Sequence, residues 1–254
     1  MTTAASALRP VVVTREEAQD GPLSTHLRKL GLTVLLWPAV RTSGGDPGAL
    51  DQALRRVTEF EWIVFASRRA VAAVLERLPT QPTGLRIAAV GKATAQVLRQ
   101  RGWQVDVVPD QAEAGALVTA LVSQLQAGTH VLYPASSRAL PTIAKGLAQL
   151  GVAVTQVEAY RTESAELDVA ECRAWIQRDG IGVITFASPS AVIELAHALG
   201  KEDLDRLLGK ATAVAIGPTT ARALAERGYP AVMAEAATLS GLANTALRAL
   251  QAQH

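Results

Sequence analysis

One segment of this sequence occurs twice, and its residue pattern is that of a strand, a tight turn and a helix. In the later copy, residues 213–228, a short apolar run stops at Gly217, and small apolar residues then repeat at helical spacing until Gly228. The earlier copy, residues 88–102, is offset by 126 residues and matches at Gly91 and Gly102. A short, continuous apolar strand is typical of a parallel sheet covered on both faces. We therefore expect an α/β protein with an internal duplication.

Two further segments repeat with nearly the same offset. Residues 11–42 align without a gap on residues 131–162, at an offset of 120, and residues 65–71 align on residues 186–192, at an offset of 121. The chain thus consists of four parts in the order A, B, A′, B′. Strand and helix patterns alternate through all four parts, which predicts parallel sheets.

Two domain arrangements fit this order. Either A and B form one domain and A′ and B′ the other, or B and A′ form a central domain while A and B′, the two ends of the chain, form the second. Polar stretches at residues 42–46 and 162–168 are the most linker-like and favour the second arrangement. It places domain 1 at residues 1–40 and 165–254 and domain 2 at residues 44–160, with crossings at 38–44 and 160–168.

Composition excludes several classes of function. The 254 residues are 49% hydrophobic and 19% charged, with a net charge of +2. No long basic run is present, so we do not expect a nucleic-acid partner. A single cysteine, Cys172, excludes an internal disulfide framework, and neither a signal peptide nor a membrane-spanning run is recognisable. We expect a cytoplasmic protein that has no membrane partner.

Hydroxyls, bases and helix starts follow the predicted strands, where ligands of open α/β sheets bind. Acids are nearly absent from these loops, which favours a polyanionic ligand. The alternative is that the hydroxyls are ordinary helix caps, each stabilising its helix by about 1 kcal/mol. The predicted binding residues are Thr14, Arg15, Ser67, Arg68, Gly91, Lys92, Thr94, Ser136, Ser137, Arg138, Ser188, Pro189, Ser190, Gly217, Pro218, Thr219 and Thr220.

Familiar catalytic arrangements are missing from the sequence. The histidines are not spaced as metal ligands, and no glycine-rich nucleotide fingerprint follows a strand, so we expect neither a metal nor a cofactor. Cys172 falls in a predicted helix away from the loops and is interpreted as an inert core residue. Tyr160 ends the A′ strand at a predicted crossing, where its counterpart in A is Val40. Its phenol is the one candidate for a catalytic proton donor.

An ordered set of short motifs resembles the uroporphyrinogen-III synthase family over nearly the whole chain. The motifs are V-V-V-T-R at 11–15, F-A-S with A-V at 65–71, A-V-G-K-A-T-A at 89–95, A-Y-R-T at 159–162, F-A-S-P-S-A-V at 186–192 and I-G-P-T-T-A at 216–221. One departure is Arg69, which stands where the family usually has asparagine.

The resemblance implies two flavodoxin-like domains, the second inserted into the first, joined by a two-strand linker with the active-site cleft between them. It also implies a monomeric lyase of haem and other tetrapyrrole biosynthesis that works without a cofactor. The linear substrate, hydroxymethylbilane, bears eight carboxylates and closes with loss of water and inversion of its last ring through a spiro intermediate. Transient channelling from the upstream bilane-forming enzyme is a further expectation. The competing interpretation is a two-lobed binder or sensor of a tetrapyrrole or another polyanion.

Overall fold

A computed structural model describes residues 8–253 and contains alternating strands and helices. The strands are β1 Val11–Val13, β2 Val34–Leu36, β3 Val40–Gly44, β4 Trp62–Phe65, β5 Arg86–Ala89, β6 His130–Ser136, β7 Ala153–Ser164, β8 Val183–Phe186, β9 Thr212–Ala215 and β10 Ala231–Met233. The helices are α1 Pro22–Lys29, α2 Pro47–Arg55, α3 Arg68–Leu75, α4 Lys92–Gln100, α5 Ala114–Leu121, α6 Thr142–Gln149, α7 Val169–Gln177, α8 Pro189–Leu208, α9 Pro218–Ala225 and α10 Leu239–Gln251, with a short 3₁₀ helix at Val57–Glu59. Helix α8 is broken at Gly200, whose φ is 78°.

The first sheet has the strand order β10-β9-β8-β1-β2, and its neighbouring strands are parallel. Numbered along the chain within this sheet, the order is 2-1-3-4-5, which is that of flavodoxin. Helices α7, α8 and α9 pack on one face, and α1 and α10 pack on the other. The interior strand β1 is fully buried between these two layers, which explains its uninterrupted run of valines.

The second sheet has the order β3-β7-β6-β4-β5. Strands β4, β5, β6 and β7 are parallel to their neighbours, with α2, α3 and α4 on one face and α5 and α6 on the other. A single parallel bridge between Ala88 and Val107 extends this sheet beyond β5. The valines of residues 105–108 predict a complete strand, and this prediction was wrong in extent.

The sheets follow the internal duplication. Strands of A and B′ (β1, β2, β8, β9 and β10) form the first sheet, and strands of B and A′ (β4, β5, β6 and β7) form the core of the second. Duplicated strands occupy equivalent positions, because β9-β8-β1-β2 in one sheet corresponds to β5-β4-β6-β7 in the other. The predicted α/β class with parallel sheets is confirmed.

The described chain divides into two compact units. Unit 1 contains the described residues up to Arg41 and those from Glu163 onwards, and unit 2 is Thr42–Thr162. Strands β3 and β7 both run across these boundaries and pair with each other. The polar stretches at residues 42–46 and 162–168 are the predicted linkers, and strands β3 and β7 run into both of them. Pairing between the two strands satisfies their backbone groups and overrides the polar composition.

Candidate functional site

Helix α3 starts directly after β4 in unit 2, and its first turn is basic. Ser67 caps the helix, because its hydroxyl accepts a hydrogen bond of 3.1 Å from the amide of Ala70. Arg68 and Arg69, the first two helical residues, are not buried, and no described carboxylate forms an ion pair with either. Two cations near the positive end of a helix are unfavourable unless an anion joins them.

Helix α4, which follows the neighbouring strand β5, starts without a capping side chain. Gly91 occupies the cap position in an extended conformation, and the exposed Lys92 follows. Thr94, in the same first turn, is 7% exposed, and its hydroxyl bonds to no other described residue. A Cβ at position 91 would lie 3.0 Å from Cβ of Ala112, so Ala112 lies close to the backbone of Gly91. The first amides of α4 are therefore available to a ligand.

Unit 1 repeats this pair of helix starts at the equivalent strands β8 and β9. Ser188 caps α8 by accepting from the amide of Ala191 at 3.3 Å, and its hydroxyl lies 3.0 Å from that of Ser190. Gly217 precedes α9 without a side-chain cap, and a Cβ there would meet nothing within 4 Å. Thr220 is 2% exposed and, like Thr94, has no described hydroxyl partner. Each unit thus presents one serine-capped start beside one glycine start.

The charge of these starts differs between the units. None of the helices α3, α4, α8 and α9 carries an acidic residue in its first turn, although acids there would stabilise the helix. In unit 2 the first turns contain Arg68, Arg69 and Lys92, whereas Pro189, Ser190 and Pro218 hold the equivalent positions in unit 1. Half-buried Thr219 completes the first turn of α9. Uncapped helix starts with adjacent bases are ready-made anion sites.

Two of the predicted binding hydroxyls hold strand β7. The hydroxyl of Ser136 lies 2.9 Å from that of Thr162, and the amide of Thr162 donates to the hydroxyl of Ser137 at 3.1 Å. Arg138 is exposed, and its amide donates to the hydroxyl of Ser136 at 3.2 Å. The serines therefore connect the end of β6 to β7.

The loop after β1 contains an acid that the sequence analysis missed. Thr14 is fully buried and donates to the carbonyl of Thr185 at 2.7 Å. Arg15 pairs at 3.4 Å with Glu17, whose side chain is only 3% exposed. Glu17 accepts from both the amide and the hydroxyl of Ser24, each at 2.6 Å, and so caps α1 from outside the helix. Helix α1 starts at Gly21-Pro22 without a capping side chain of its own. This missing cap is the sequence signal that could have pointed to a capping residue such as Glu17.

Tyr160 lies inside β7 rather than at its end. Its register partner in β6 is Ser136, and its carbonyl accepts from the amide of Ser137 at 3.0 Å. The half-buried ring packs against the core of unit 2, and the phenol bonds to no described side chain. Burial, together with nearby Tyr160, raises the pKa of Tyr133 to about 12. Tyr133 is buried, whereas Tyr160 is only half-buried, so Tyr160 is the better placed of the two to donate a hydrogen bond to a ligand.

Metal-ligand clusters and reactive thiols are not found in the part of the chain that the structure describes. No group of three or more His, Cys, Asp or Glu side chains is arranged to hold a metal ion. Cys172 is buried in α7, and burial raises its thiol pKa to about 12, as expected of a core residue. Within the same residues, no helix combines the length and apolarity needed to cross a membrane.

Known proteins with the same architecture include a mutant uroporphyrinogen III synthase from the extremely thermophilic bacterium Thermus thermophilus. Its structure superposes with a TM-score of 0.73 at 20% sequence identity, covering 96% of this chain and 99% of that one. The uroporphyrinogen-III synthetase of Helicobacter pylori superposes with a TM-score of 0.59 at 20% identity, covering 94% and 99%. At these identities the similarity establishes the fold.

Sequence relatives establish the family. The uroporphyrinogen-III synthase of Synechococcus elongatus is 30% identical over 248 residues, covering 92% of each chain. The chloroplastic enzyme of rice is 31% identical over 254 residues, covering 95% of this chain and 81% of that one. The model of the family described as uroporphyrinogen-III synthase HemD matches residues 21–244. This chain belongs to the uroporphyrinogen-III synthase family.

Proposed function

We propose that this protein converts hydroxymethylbilane to uroporphyrinogen III, closing the ring with loss of water and inversion of the last pyrrole. Family membership supports this reaction. The observation that carries it is the set of first turns without acids at α3, α4, α8 and α9. A substrate with many carboxylates supplies the negative charge that these helix starts lack.

Substrate carboxylates bind most strongly at unit 2 in this proposal. Arg68, Arg69 and Lys92 add side-chain charge to the helix starts there, whereas unit 1 offers amides and hydroxyls. A charge-assisted hydrogen bond contributes about 1.5 to 3 kcal/mol, roughly twice a neutral one. The bases of unit 2 therefore attract and hold the polyanion, while Ser190, Thr219 and the amides of α9 orient it.

The remaining predicted residues add charge near the strands or hold the loops that follow them. Arg15 and Arg138 supply further charge beside the strands. Thr14, Ser136 and Ser137 are engaged in internal hydrogen bonds, and they contribute by holding their loops in place. The conformation of the loops is then set before the substrate arrives, which lowers the entropy cost of binding.

The chemistry itself needs little from the protein. The bond between the hydroxymethyl carbon and its oxygen breaks, the oxygen leaves with the electron pair and takes up a proton as water, and the pyrrole nitrogen loses its proton. We propose that Tyr160 donates the hydrogen bond that assists this departure, since its phenol has no described partner. The resulting azafulvene is attacked by the substituted carbon of the last ring, and a spiro intermediate forms.

Selectivity is the harder task, because the free end of the bilane closes without rearrangement in solution. A tenfold preference corresponds to about 1.4 kcal/mol. Several carboxylate contacts that favour one orientation of the bilane are sufficient for that preference. We propose that catalysis is distributed over these contacts and does not depend on one acid–base pair.

We further propose that the two units act as a discontinuous domain (residues 1–40 and 165–254) and an inserted domain (residues 44–160), with linker crossings at 38–44 and 160–168. In this proposal the protein is a cytoplasmic monomer, and its substrate is delivered transiently by the bilane-forming enzyme. Association with that enzyme is tested by measuring product formation in a coupled assay while a trap consumes free bilane.

A product-isomer assay tests the proposed activity. The purified protein is given hydroxymethylbilane, the products are oxidised to porphyrins, and the isomers are resolved by chromatography. Accumulation of the rearranged isomer faster than spontaneous closure supports the synthase. Formation of the unrearranged isomer alone, at the spontaneous rate, contradicts it and leaves a tetrapyrrole binder.

A further inference from the structure

Glu194 is a charged residue whose surface is more than nine-tenths buried. It lies on α8 and is 7% exposed, and its neighbours Val192 and Leu195 are core residues. Burying a carboxylate costs several kcal/mol unless hydrogen bonds compensate it. A leucine or alanine at this position would fill the helix face without that cost, so the carboxylate requires a specific reason.

The hydroxyl of Ser164, at the end of β7, donates to Oε2 of Glu194. The next residue, Ala165, donates its amide to the carbonyl of Ala39 at 3.1 Å, which holds the chain beyond β7 beside the segment that leads into β3. The carboxylate thus connects α8 to the last residue of β7.

A cavity of about 240 Å³ adjoins this contact. Its lining is mostly apolar and contains Ala39, Ala165, Leu167 and Ala198 beside Ser164, Glu194 and His197. Apolar packing between the end of β7 and α8 is therefore incomplete beside this contact, and the hydrogen bond between Ser164 and Glu194 connects the two elements there.

Three residues of β7 at alternating positions share one side of the strand: Tyr160, Thr162 and Ser164. Thr162 is held in unit 2 by the hydroxyl of Ser136 at 2.9 Å, and Ser164 is held in unit 1 by Glu194. The boundary between the units falls between Thr162 and Glu163. In addition to its backbone pairing with β6 and β3, strand β7 is therefore held by side-chain contacts on each side of that boundary.

We propose that Glu194 is a positioning residue for the ring closure, acting through Ser164. By fixing the end of β7 to α8, it holds in place the last residues of the strand that carries Tyr160. This inference rests on the proposed synthase activity. It assigns a function to a buried acid outside the loops that follow the strands.

The test compares Ser164→Ala and Glu194→Ala with the conservative variants Ser164→Thr and Glu194→Gln. Each protein is assayed for kcat, KM, the fraction of unrearranged product and the melting temperature. Ser164→Ala removes only one partly exposed hydroxyl, so we expect this variant to fold even if the Glu194→Ala variant does not fold. We expect both alanine variants to lower kcat about tenfold and to raise the unrearranged fraction, with KM changed less than about twofold. The conservative variants retain a donor or an acceptor and stay within about threefold of wild type.

Coupling between the two positions provides the sharper criterion. If the residues act through one bond, the double alanine variant is no slower than the slower single variant. Folded alanine variants with wild-type kcat and wild-type isomer ratio would overturn the proposal, and so would losses that multiply in the double variant. The wild-type isomer assay alone decides the proposed activity, so failure of that activity is distinguishable from failure of the positioning function.

Discussion

Replacing Gly217 by aspartate should stabilise the protein and impair its activity at once. Gly217 has φ −173° and ψ 178°, which any residue adopts, and a Cβ there meets nothing within 4 Å. Aspartate is a preferred helix cap, and its charge faces the positive end of α9. Together these effects raise the free energy of unfolding by about 0.5 to 1.5 kcal/mol. The melting temperature should rise by about 1 to 6 °C for a chain of this size.

The same carboxylate would occupy the amides that we assign to a substrate carboxylate. Losing one charge-assisted hydrogen bond of about 1.5 kcal/mol or more lowers kcat/KM at least about tenfold. Gly217→Asn is the matched control, because asparagine caps a helix about as well as aspartate does but carries no charge. Asparagine should leave more activity than aspartate, and added salt should narrow the difference between them.

Calorimetry or thermal melting measures the first effect, and steady-state kinetics with the bilane measures the second. A Gly217→Asp protein with a raised melting temperature and kcat/KM within about twofold of wild type would refute the assignment of α9 to anion binding. Gly91 does not allow the same experiment, since a Cβ there would lie 3.0 Å from Cβ of Ala112. This close contact would strain the variant and change its melting temperature independently of the cap.

Three other substitutions test separate parts of the site. Tyr160→Phe should lower turnover by only about 2- to 30-fold, because one hydrogen bond is lost; a folded variant that loses about 10⁴-fold would identify the phenol as a dedicated acid. Arg69→Ala should raise KM about threefold to tenfold at low salt and weaken the salt dependence of KM. Arg99 is exposed in the last turn of α4, and the control Arg99→Ala should change neither quantity. Glu17→Ala should lower the melting temperature by about 2 to 10 °C through loss of the buried cap of α1, while unchanged melting would contradict that contact's contribution.

Local patterns were sufficient to predict the α/β class and most of its elements. The valines of β1 and the apolar run of β9 indicated buried strands, and the glycines at 91 and 217 marked the starts of α4 and α9. These signals work because strand burial and helix initiation depend on residues within a few positions of one another. Offsets of 120, 121 and 126 between the repeats also indicated which strands would occupy equivalent positions in two sheets.

The crossing strands show where local patterns fail. Residues 40–44 include a serine and a glycine and have the composition of a loop, yet they form β3 because β7 is available to pair with them. A strand at a sheet edge gains its stability from backbone hydrogen bonds with a distant segment. Composition over so short a stretch contains no information about that partner.

The sequence by itself determined the alternation of strands and helices, the duplication, and the hydroxyls and bases that follow the strands. Tertiary structure alone decided which of those side chains are engaged: Thr14 bonds to a residue 171 positions away, and Ser164 bonds to Glu194, 30 positions away. Glu194 had only the pattern of an ordinary helix residue until β7 was placed beside it. The physical reason is that the strength of a hydrogen bond and the cost of burying a charge depend on neighbours in space, and those neighbours are set only when the chain has folded.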